Sequence, residues 1–267
     1  MSILSAEDEH DIKVGTLPTL SVLLPTYNDR WRLGTQIEAI VPQLRPVDEL
    51  VILVQAADGT QEFLRTRFRQ PNVRWVFGPD PLGVCQAYNL AASMARGTWV
   101  IGASGNDEWQ AGTLNAWLDA ATRWPEARVM CGFTHPFSRM KWLPETGFCT
   151  PADLIFVRHA EGWKTHGAAV FLRRDVWGRG YVPEIEWMAD HVQCLLLAMR
   201  WGCVDLHHYC SLVTNREGSY CHGHNTNELY NAAIRATRRE AYSEEWADIR
   251  GMVRLYDETT GWLKERT

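Results

Sequence analysis

The chain has 267 residues, a formal net charge of −5, 46% hydrophobic and 22% charged residues, which is an ordinary globular balance. That length buries a sizeable core and fits one large α/β domain or two small ones. The negative balance argues against a general nucleic-acid binder, and apolar runs such as Leu50–Val54 and Cys194–Met199 are far too short to span a bilayer.

Residues 1–17 read as a polar, loosely ordered leader; the opening MSILSAEDEHDIK is acidic and lacks an apolar signal core, so a cytoplasmic location is expected. Leu20–Leu24 is a buried strand that ends at Pro25-Thr-Tyr-Asn28. Leu33, Ile37, Ile40 and Val41 then recur at helical spacing over 30–42. A second strand, Leu50–Val54, ends at Gln55-Ala-Ala-Asp58-Gly59-Thr60 and leads into a helix over roughly 61–69. Val73–Phe77 is the third strand, and Gly78-Pro-Asp-Pro-Leu-Gly83 turns into a helix over about 84–95. Trp99–Ala103 is the fourth strand, followed by small residues, the polar Asn106-Asp107-Glu108, and a helix over about 112–123. Strands alternating with helices of this length predict βαβ units and a mostly parallel sheet.

No G-x-G-x-x-G follows the first strand and no G-x-x-x-x-G-K-[ST] occurs anywhere, which disfavours a dehydrogenase or a P-loop NTPase. The polar groups come one cluster per strand end: Thr26, Tyr27 and Asn28, then Asp58, then Ser104 to Glu108. In an open α/β sheet, ligands sit beyond the carboxyl ends of the strands. Three such ends can form one nucleotide pocket, with a base stacked on Tyr27 and Asp58 accepting from a base N–H or a ribose hydroxyl. The plainer reading of the last cluster is a strand-to-helix turn capped by Asp107 or Asn106.

The ordered set Ser21-Val-Leu-Leu-Pro-Thr-Tyr-Asn28, Asp58-Gly-Thr60, Gly83-Val-Cys-Gln-Ala-Tyr-Asn89 and Asp107-Glu-Trp109 resembles a family 2 glycosyltransferase of the GT-A fold, over roughly residues 18–225. The resemblance implies a Rossmann-like α/β sheet flanked by helices, a nucleotide-sugar donor (usually a UDP-sugar), and inversion at the anomeric carbon. It implies that Pro25, Thr26, Tyr27, Asn28 and Asp58 hold the base and ribose, and that Asn89 sits near the diphosphate or shapes the pocket. The alternative for Asn89 is a hydrogen bond inside its own helix. Where the family usually carries Asp-x-Asp-Asp for the ribose and a divalent metal, this chain reads Ser104-Gly105-Asn106-Asp107. Ser104 and Asn106 offer oxygen without charge, whereas Mg²⁺ or Mn²⁺ is usually held through carboxylates and substrate phosphates. Either metal binding is weakened, or it falls to Asp107 with Asn106, Glu108 and groups from elsewhere.

Arg128–Phe133 reads as a fifth strand, and residues 134–165 as a long loop rich in proline, glycine and aromatics. Loops of that length in a compact domain are commonly functional. The resemblance, to a family whose acceptor-facing segments vary most, implies acceptor recognition there, with Trp142, Phe148 and Trp163 as a sugar or aglycone platform or as ordinary cover for the sheet. His166–Arg173 reads as a strand whose small residues admit a ligand, and His166 and Trp187 join the acceptor-side candidates. Asp190 falls in the first turn of a helix carrying Val192, Leu195, Leu196 and Met199 on one face. A carboxylate there is favoured by the helix dipole, and capping is its plainer role. The family opens this helix with an acidic pair whose aspartate is the catalytic base; here Ala189 replaces the first member and Asp190 remains. Glu184 and Glu186 are alternative bases.

After the strand Cys203–His208, the stretch Asn215 to Asn225 resembles the family's closing loop. Arg216 is the candidate for a bidentate diphosphate contact. His222 and His224 would donate to phosphate, serve as neutral metal ligands, or lie solvated; with Cys221 they lack the fourth ligand and spacing of a zinc site. Seven cysteines without a C-x-x-C pair read as reduced, mostly buried thiols. Residues 226–267 form a helical extension in which Trp246, Ile249, Val253 and Tyr256 mark a packing or homodimer face. The expected organisation is a leader (1–17), a GT-A domain (18–225) with a nucleotide-binding half (18–125) and an acceptor half (126–225), and the extension. The expected function is an inverting glycosyltransferase with Asp190 as base and a divalent cation, Mn²⁺ or Mg²⁺, in doubt at Ser104/Asn106. The alternative is a catalytically weak nucleotide-sugar-binding protein. The acceptor is left open: glycan, lipid, protein, small molecule or a modified nucleic acid base.

Overall fold

A computed structural model describes residues 17–28, 30–55, 59–78, 82–105, 107–135, 145–154, 167–213 and 226–266. The first half runs β1 (Leu20–Thr26), α1 (Arg30–Ile40), β2 (Glu49–Val54), α2 (Thr60–Arg67), β3 (Val73–Phe77), α3 (Val84–Ser93), β4 (Trp99–Gly102), β5 (Asp107–Trp109) and α4 (Thr113–Arg123). The second continues with β6 (Val129–His135), β7 (Gly147–Cys149), β8 (Val170–Arg173), α5 (Ala189–Trp201), β9 (Cys203–Val213), α6 (Asn227–Ala241) and α7 (Arg250–Thr260).

These strands join in one sheet, in the order β3-β2-β1-β4-β8-β6-β9-β5, with β7 along β9. The centre is apolar on both faces, as strands covered by helices on both sides must be. Val22, Leu24, Leu50, Ile52 and Ile101 pack against Leu33 and Ile37 of α1 and Trp117 of α4. Their alternates Leu23, Val51, Leu53 and Val100 pack with Ala87 and Ala91 of α3 and Val192 and Leu195 of α5.

The path of the chain places the site. From β1 it moves outward through β2 to β3, all parallel, then returns to pair β4 on the other flank of β1. The reversal between β1 and β4 is a topological switch point, and the crevice beyond their carboxyl ends is where such a sheet receives a ligand.

The α/β class with flanking helices is as expected, but the parallel pairing is concentrated in the first half. Beyond β4, strand β8 runs antiparallel to both β4 and β6, while β9 is parallel to β6 and antiparallel to β5 and β7. On the plainer reading Asp107 and Glu108 belong to a polar turn; with Trp109 they instead form a short strand paired with Ser211–Val213. A three-residue strand has no period of its own, and this one exists because β9 runs on past His208. At the register shift between β6 and β9, a Cβ on Gly132 would lie 2.3 Å from Cys210 Sγ, so glycine permits the close approach.

The helical extension folds back on this domain. Trp246, Ile249, Val253 and Tyr256 are buried in the same core as α5. Among the described residues, no helix is long and apolar enough to cross a membrane.

Candidate functional site

Beyond β1, Thr26 is 5% exposed and its Oγ1 lacks a hydrogen-bond partner among the described residues, while its carbonyl accepts from Gln55 N at 3.1 Å. Gln55 Nε2 is likewise buried and unpaired. Orphaned polar atoms on residues at two adjacent strand ends mark a place built for a partner. Tyr27 is 54% exposed, and Asn28 takes a left-handed φ of +51° that turns the chain sharply off the strand. The loop is thus a stiff rim carrying an accessible ring. Beside it, a Cβ on Gly59 would lie 3.1 Å from Arg30 Nη1, so the guanidinium of Arg30 lies against the entrance to α2. Arg30 was not singled out from sequence; its signal was its place as the first helical residue after the polar loop.

Beyond β4, the hydroxyl of Tyr88 donates to the carbonyl of Ala103 at 2.8 Å, and Ala103 N donates to Leu23 O at 2.7 Å. These bonds fix the exit of the strand. Ser104 Oγ donates to Asp107 Oδ2 at 2.8 Å, and Asp107 is only 2% exposed because β5 is paired. Glu108 is exposed. Among the described residues no three His, Cys, Asp or Glu side chains gather as a metal-binding group. Asp107 therefore brings one carboxylate, supported by the Ser104 hydroxyl. That donor set fits a hard cation which takes its remaining ligands from phosphate and water.

Asn89 contacts the second half of the chain. Its Nδ2 donates to Tyr181 O at 2.8 Å and its Oδ1 accepts from Tyr181 N at 2.7 Å. A Cβ on Gly180, whose φ is +72°, would fall 2.1 Å from that Oδ1, so glycine is required at this contact. The amide thus joins α3 to the segment leading toward α5, in place of the hydrogen bond within its own helix.

Asp190 opens α5. Its Oδ1 accepts from His191 N at 2.7 Å, and a Cβ on Gly167 would lie 2.8 Å from its Oδ2. The carbonyl of Gly167 would in turn lie 3.7 Å from a Cβ on Gly102, where Tyr88 Cε1 would be at 3.1 Å. The small residues Gly102 and Gly167 therefore let the Asp190 carboxylate, Tyr88 and the end of β4 converge. The carboxylate is half-buried; burial of the Cys85 thiol, followed by the charge of Asp190, pushes that thiol up to about 12. Just before α5, Glu186 holds φ +59°, ψ −133° in a 3-10 segment, and its carbonyl accepts from Cys85 Sγ at 3.4 Å. A non-glycine residue in that region stores strain beside the carboxylate. Glu184 and Glu186 are exposed. Trp187 packs toward α6, with its ring 6.5 Å from that of Tyr230.

On the face of the sheet that α5 covers, Phe133 lies beneath His207 at 5.4 Å and Tyr209 at 5.5 Å, and His135 is 6.4 Å from Tyr209. His135, His207 and Tyr209 are exposed, forming a ring platform on β6 and β9. Its sequence signal was the period-two alternation of Phe133/His135 and His207/Tyr209. The predicted residues Asp58, Asn106, Trp142, Trp163, His166, Arg216, His222 and His224 lie outside the described residues.

Comparison with known proteins bears on this arrangement. A model of the family described as Glycosyl transferase family 2 matches residues 21–171. No curated protein matches the chain. Among solved structures, residues 1–349 of TarS from S. aureus in complex with UDP-GlcNAc are 17% identical, with a TM-score of 0.64 over 93% of this chain and 76% of that one. The mannosyltransferase PcManGT from Pyrobaculum calidifontis, in complex with GDP-Man and Mn²⁺, is 15% identical, with a TM-score of 0.64 over 93% of this chain and 74% of that one. Glucosyl-3-phosphoglycerate synthase from Mycobacterium tuberculosis, with Mn²⁺, UDP and phosphoglyceric acid, is 13% identical, with a TM-score of 0.59 over 82% and 78%. At these identities the likeness is one of fold.

Proposed function

The chain belongs to glycosyl transferase family 2, and on that premise we propose that it transfers a sugar, with inversion, from a UDP-sugar to an acceptor hydroxyl, using Asp190 as the base. The observation that carries this reading is the convergence of the Asp190 carboxylate, through Gly167 and Gly102, on the end of β4 at the switch point. UDP is preferred to GDP because the TarS and glucosyl-3-phosphoglycerate synthase structures hold uridine nucleotides. In this chain Tyr27 would stack on the base, with Thr26 Oγ1 and Gln55 Nε2 finding their partners on the nucleoside.

Inversion in a single displacement requires an acceptor hydroxyl on the face of the anomeric carbon opposite the diphosphate. A positioned carboxylate removes its proton as the bond forms. Asp190 is suited to this: it opens a helix, where the dipole favours the ionised form, and it is already oriented by the His191 amide. On the departing side Ser104 and Asp107 would lie toward the diphosphate, and Asp107 would hold the cation. When bound, Mn²⁺ or Mg²⁺ offsets the charge that grows on the leaving group. The platform of His135, His207 and Tyr209 would seat the acceptor on the face that α5 covers.

The test is Asp190→Asn in a UDP-sugar turnover assay. Transfer and slow donor hydrolysis fall by roughly 10²–10⁴-fold, the range of general-base contributions, while UDP affinity is unchanged. Transfer at the wild-type rate would remove Asp190 from the role. A catalytically weak nucleotide-sugar binder is favoured over an enzyme by one observation only, the single buried carboxylate where the family usually carries several aspartates. Donor turnover separates the two.

A further inference from the structure

Another flank of α5 borders a second cleft. Ala189, Gln193, Leu196 and Arg200 recur at helical spacing along it, facing the 175–182 segment and the stretch of the C-terminal extension between the end of α6 and α7. The cleft has a volume of about 200 Å³, below the roughly 300–1,000 Å³ of pockets that take drug-sized ligands. It is too small for a nucleotide-sugar and suited to a single ring.

Its chemistry is specific. Arg128, Arg179 and Arg200 are balanced by Asp175, Glu240 and Glu245, so the lining carries no net charge to attract a phosphate or carboxylate. Arg179 pairs with Glu240 at 3.4 Å and Arg200 with Glu245 at 3.7 Å. Three indoles line it: Trp177 and Trp246 are buried in the wall, and Trp201, 40% exposed, presents an accessible apolar face. Arg128 lies 3.9 Å over Trp201 and Arg200 lies 4.3 Å over Trp246, which holds two of them in place.

Two polar atoms remain orphaned. Gln193 is 8% exposed; its Nε2 donates to Trp177 O at 2.8 Å, but its Oε1 is buried without a partner. Arg200 Nε is also buried and unpaired, although its other nitrogens serve Glu245 and Asp248. A buried acceptor and a buried donor on one helix flank ask for groups that can both donate and accept a hydrogen bond. Hydroxyls of a sugar ring do this, and the ring's apolar face matches an indole.

We propose that this cleft is a saccharide-binding site for one neutral pyranose unit, separate from the donor and acceptor positions of the transfer site. It goes beyond the transfer reading and does not depend on it. The unit would be a free monosaccharide or one residue of a glycan chain, and both present the same chemistry.

The test uses the full chain at saturating UDP, titrated with methyl glycosides of glucose, N-acetylglucosamine, mannose and galactose and with the matching trisaccharides. Saturation-transfer NMR and indole fluorescence read binding. At least one sugar binds saturably, and Gln193→Leu and Arg200→Lys each weaken it at least ten-fold while UDP affinity is unchanged. Should Gln193→Leu not fold, as judged by its melting transition, Arg200→Lys carries the comparison. A trisaccharide that binds more tightly than its monosaccharide assigns the site to a glycan chain, and equal affinities assign it to the free sugar; either supports the site. No saturable signal for any sugar, wild-type affinity in both variants, or displacement of the sugar by UDP-sugar overturns it. Because binding is read and not turnover, failure here and failure of the transfer reading are distinguishable.

Discussion

Gly167→Ala addresses the geometry of the Asp190 carboxylate without touching its chemistry. The added methyl carbon would stand 2.8 Å from Asp190 Oδ2 and 3.6 Å from its Cβ and Cγ. Ordinary contact begins at 3.4 Å, so the carboxylate must retreat by 3.4 − 2.8 = 0.6 Å, or rotate away. Misplacing a reacting group by about 1 Å can cost about 10²-fold in rate. A shift of this size should therefore cost roughly ten-fold in kcat/KM, or about 1.4 kcal/mol of transition-state stabilisation. The fold should tolerate the change, because the tightest contact, under 3.0 Å, is with the end of the Asp190 side chain and alanine restricts the unfolded chain more than glycine does. The assay is UDP release from a UDP-sugar with acceptor, run beside a UDP titration and a thermal melt. A variant with wild-type turnover and an unchanged melt would refute the claim that the position of this carboxylate governs removal of the acceptor's proton. A ten-fold loss at unchanged UDP affinity is the expected result.

Other outcomes follow from the same contacts. Asn89→Leu removes both hydrogen bonds to the Tyr181 backbone and strands its N–H and C=O, at about 1–3 kcal/mol for each group left unsatisfied. Urea denaturation should show a loss of about 2–6 kcal/mol for the two groups together, and turnover should fall because the approach to α5 loosens. Asp205 is 1% exposed with both carboxylate oxygens unpaired, and burial followed by the neighbouring Cys203 thiol raises its pKa from 3.8 to about 7. The folded state then holds a proton that the unfolded state releases, so stability falls as pH rises from about 4 to about 7, by on the order of 4 kcal/mol. Asp205→Asn should flatten that slope in denaturation curves measured between pH 4 and 8, and a slope equal to wild type would count against it. Glu186→Gly relieves φ +59° and should raise the melting temperature while lowering turnover; an unchanged melt would mean that the strained backbone stores little.

Much of this protein is legible along the chain. The runs of β1 and β2 are mostly apolar, broken in their interior by Ser21 alone, whose hydroxyl donates to Glu49 at the start of β2; this is the local signature of strands covered on both faces, and they fall where expected. The polar clusters after β1 and β4 were also evident, because a polar residue at a strand end does nothing for packing. Residues at α1, α3 and α4 follow the helical period because each presents one stripe to the sheet.

What tertiary structure alone decided is a set of contacts between residues far apart in sequence. Asp107 is buried because β9 extends to pair with β5, and nothing within three residues announces a strand. Asn89 bonds to Tyr181 across 92 positions, and Gly167 is small because Asp190 lies against it. The C-terminal helices buried their apolar stripe on α5, whereas the sequence showed only that a stripe existed. Periodicity and turn chemistry are local quantities, so composition and order suffice to read them. Which stripe meets which, and which carboxylate ends beside which strand, is settled only when closure of the sheet brings distant segments within ångströms of one another.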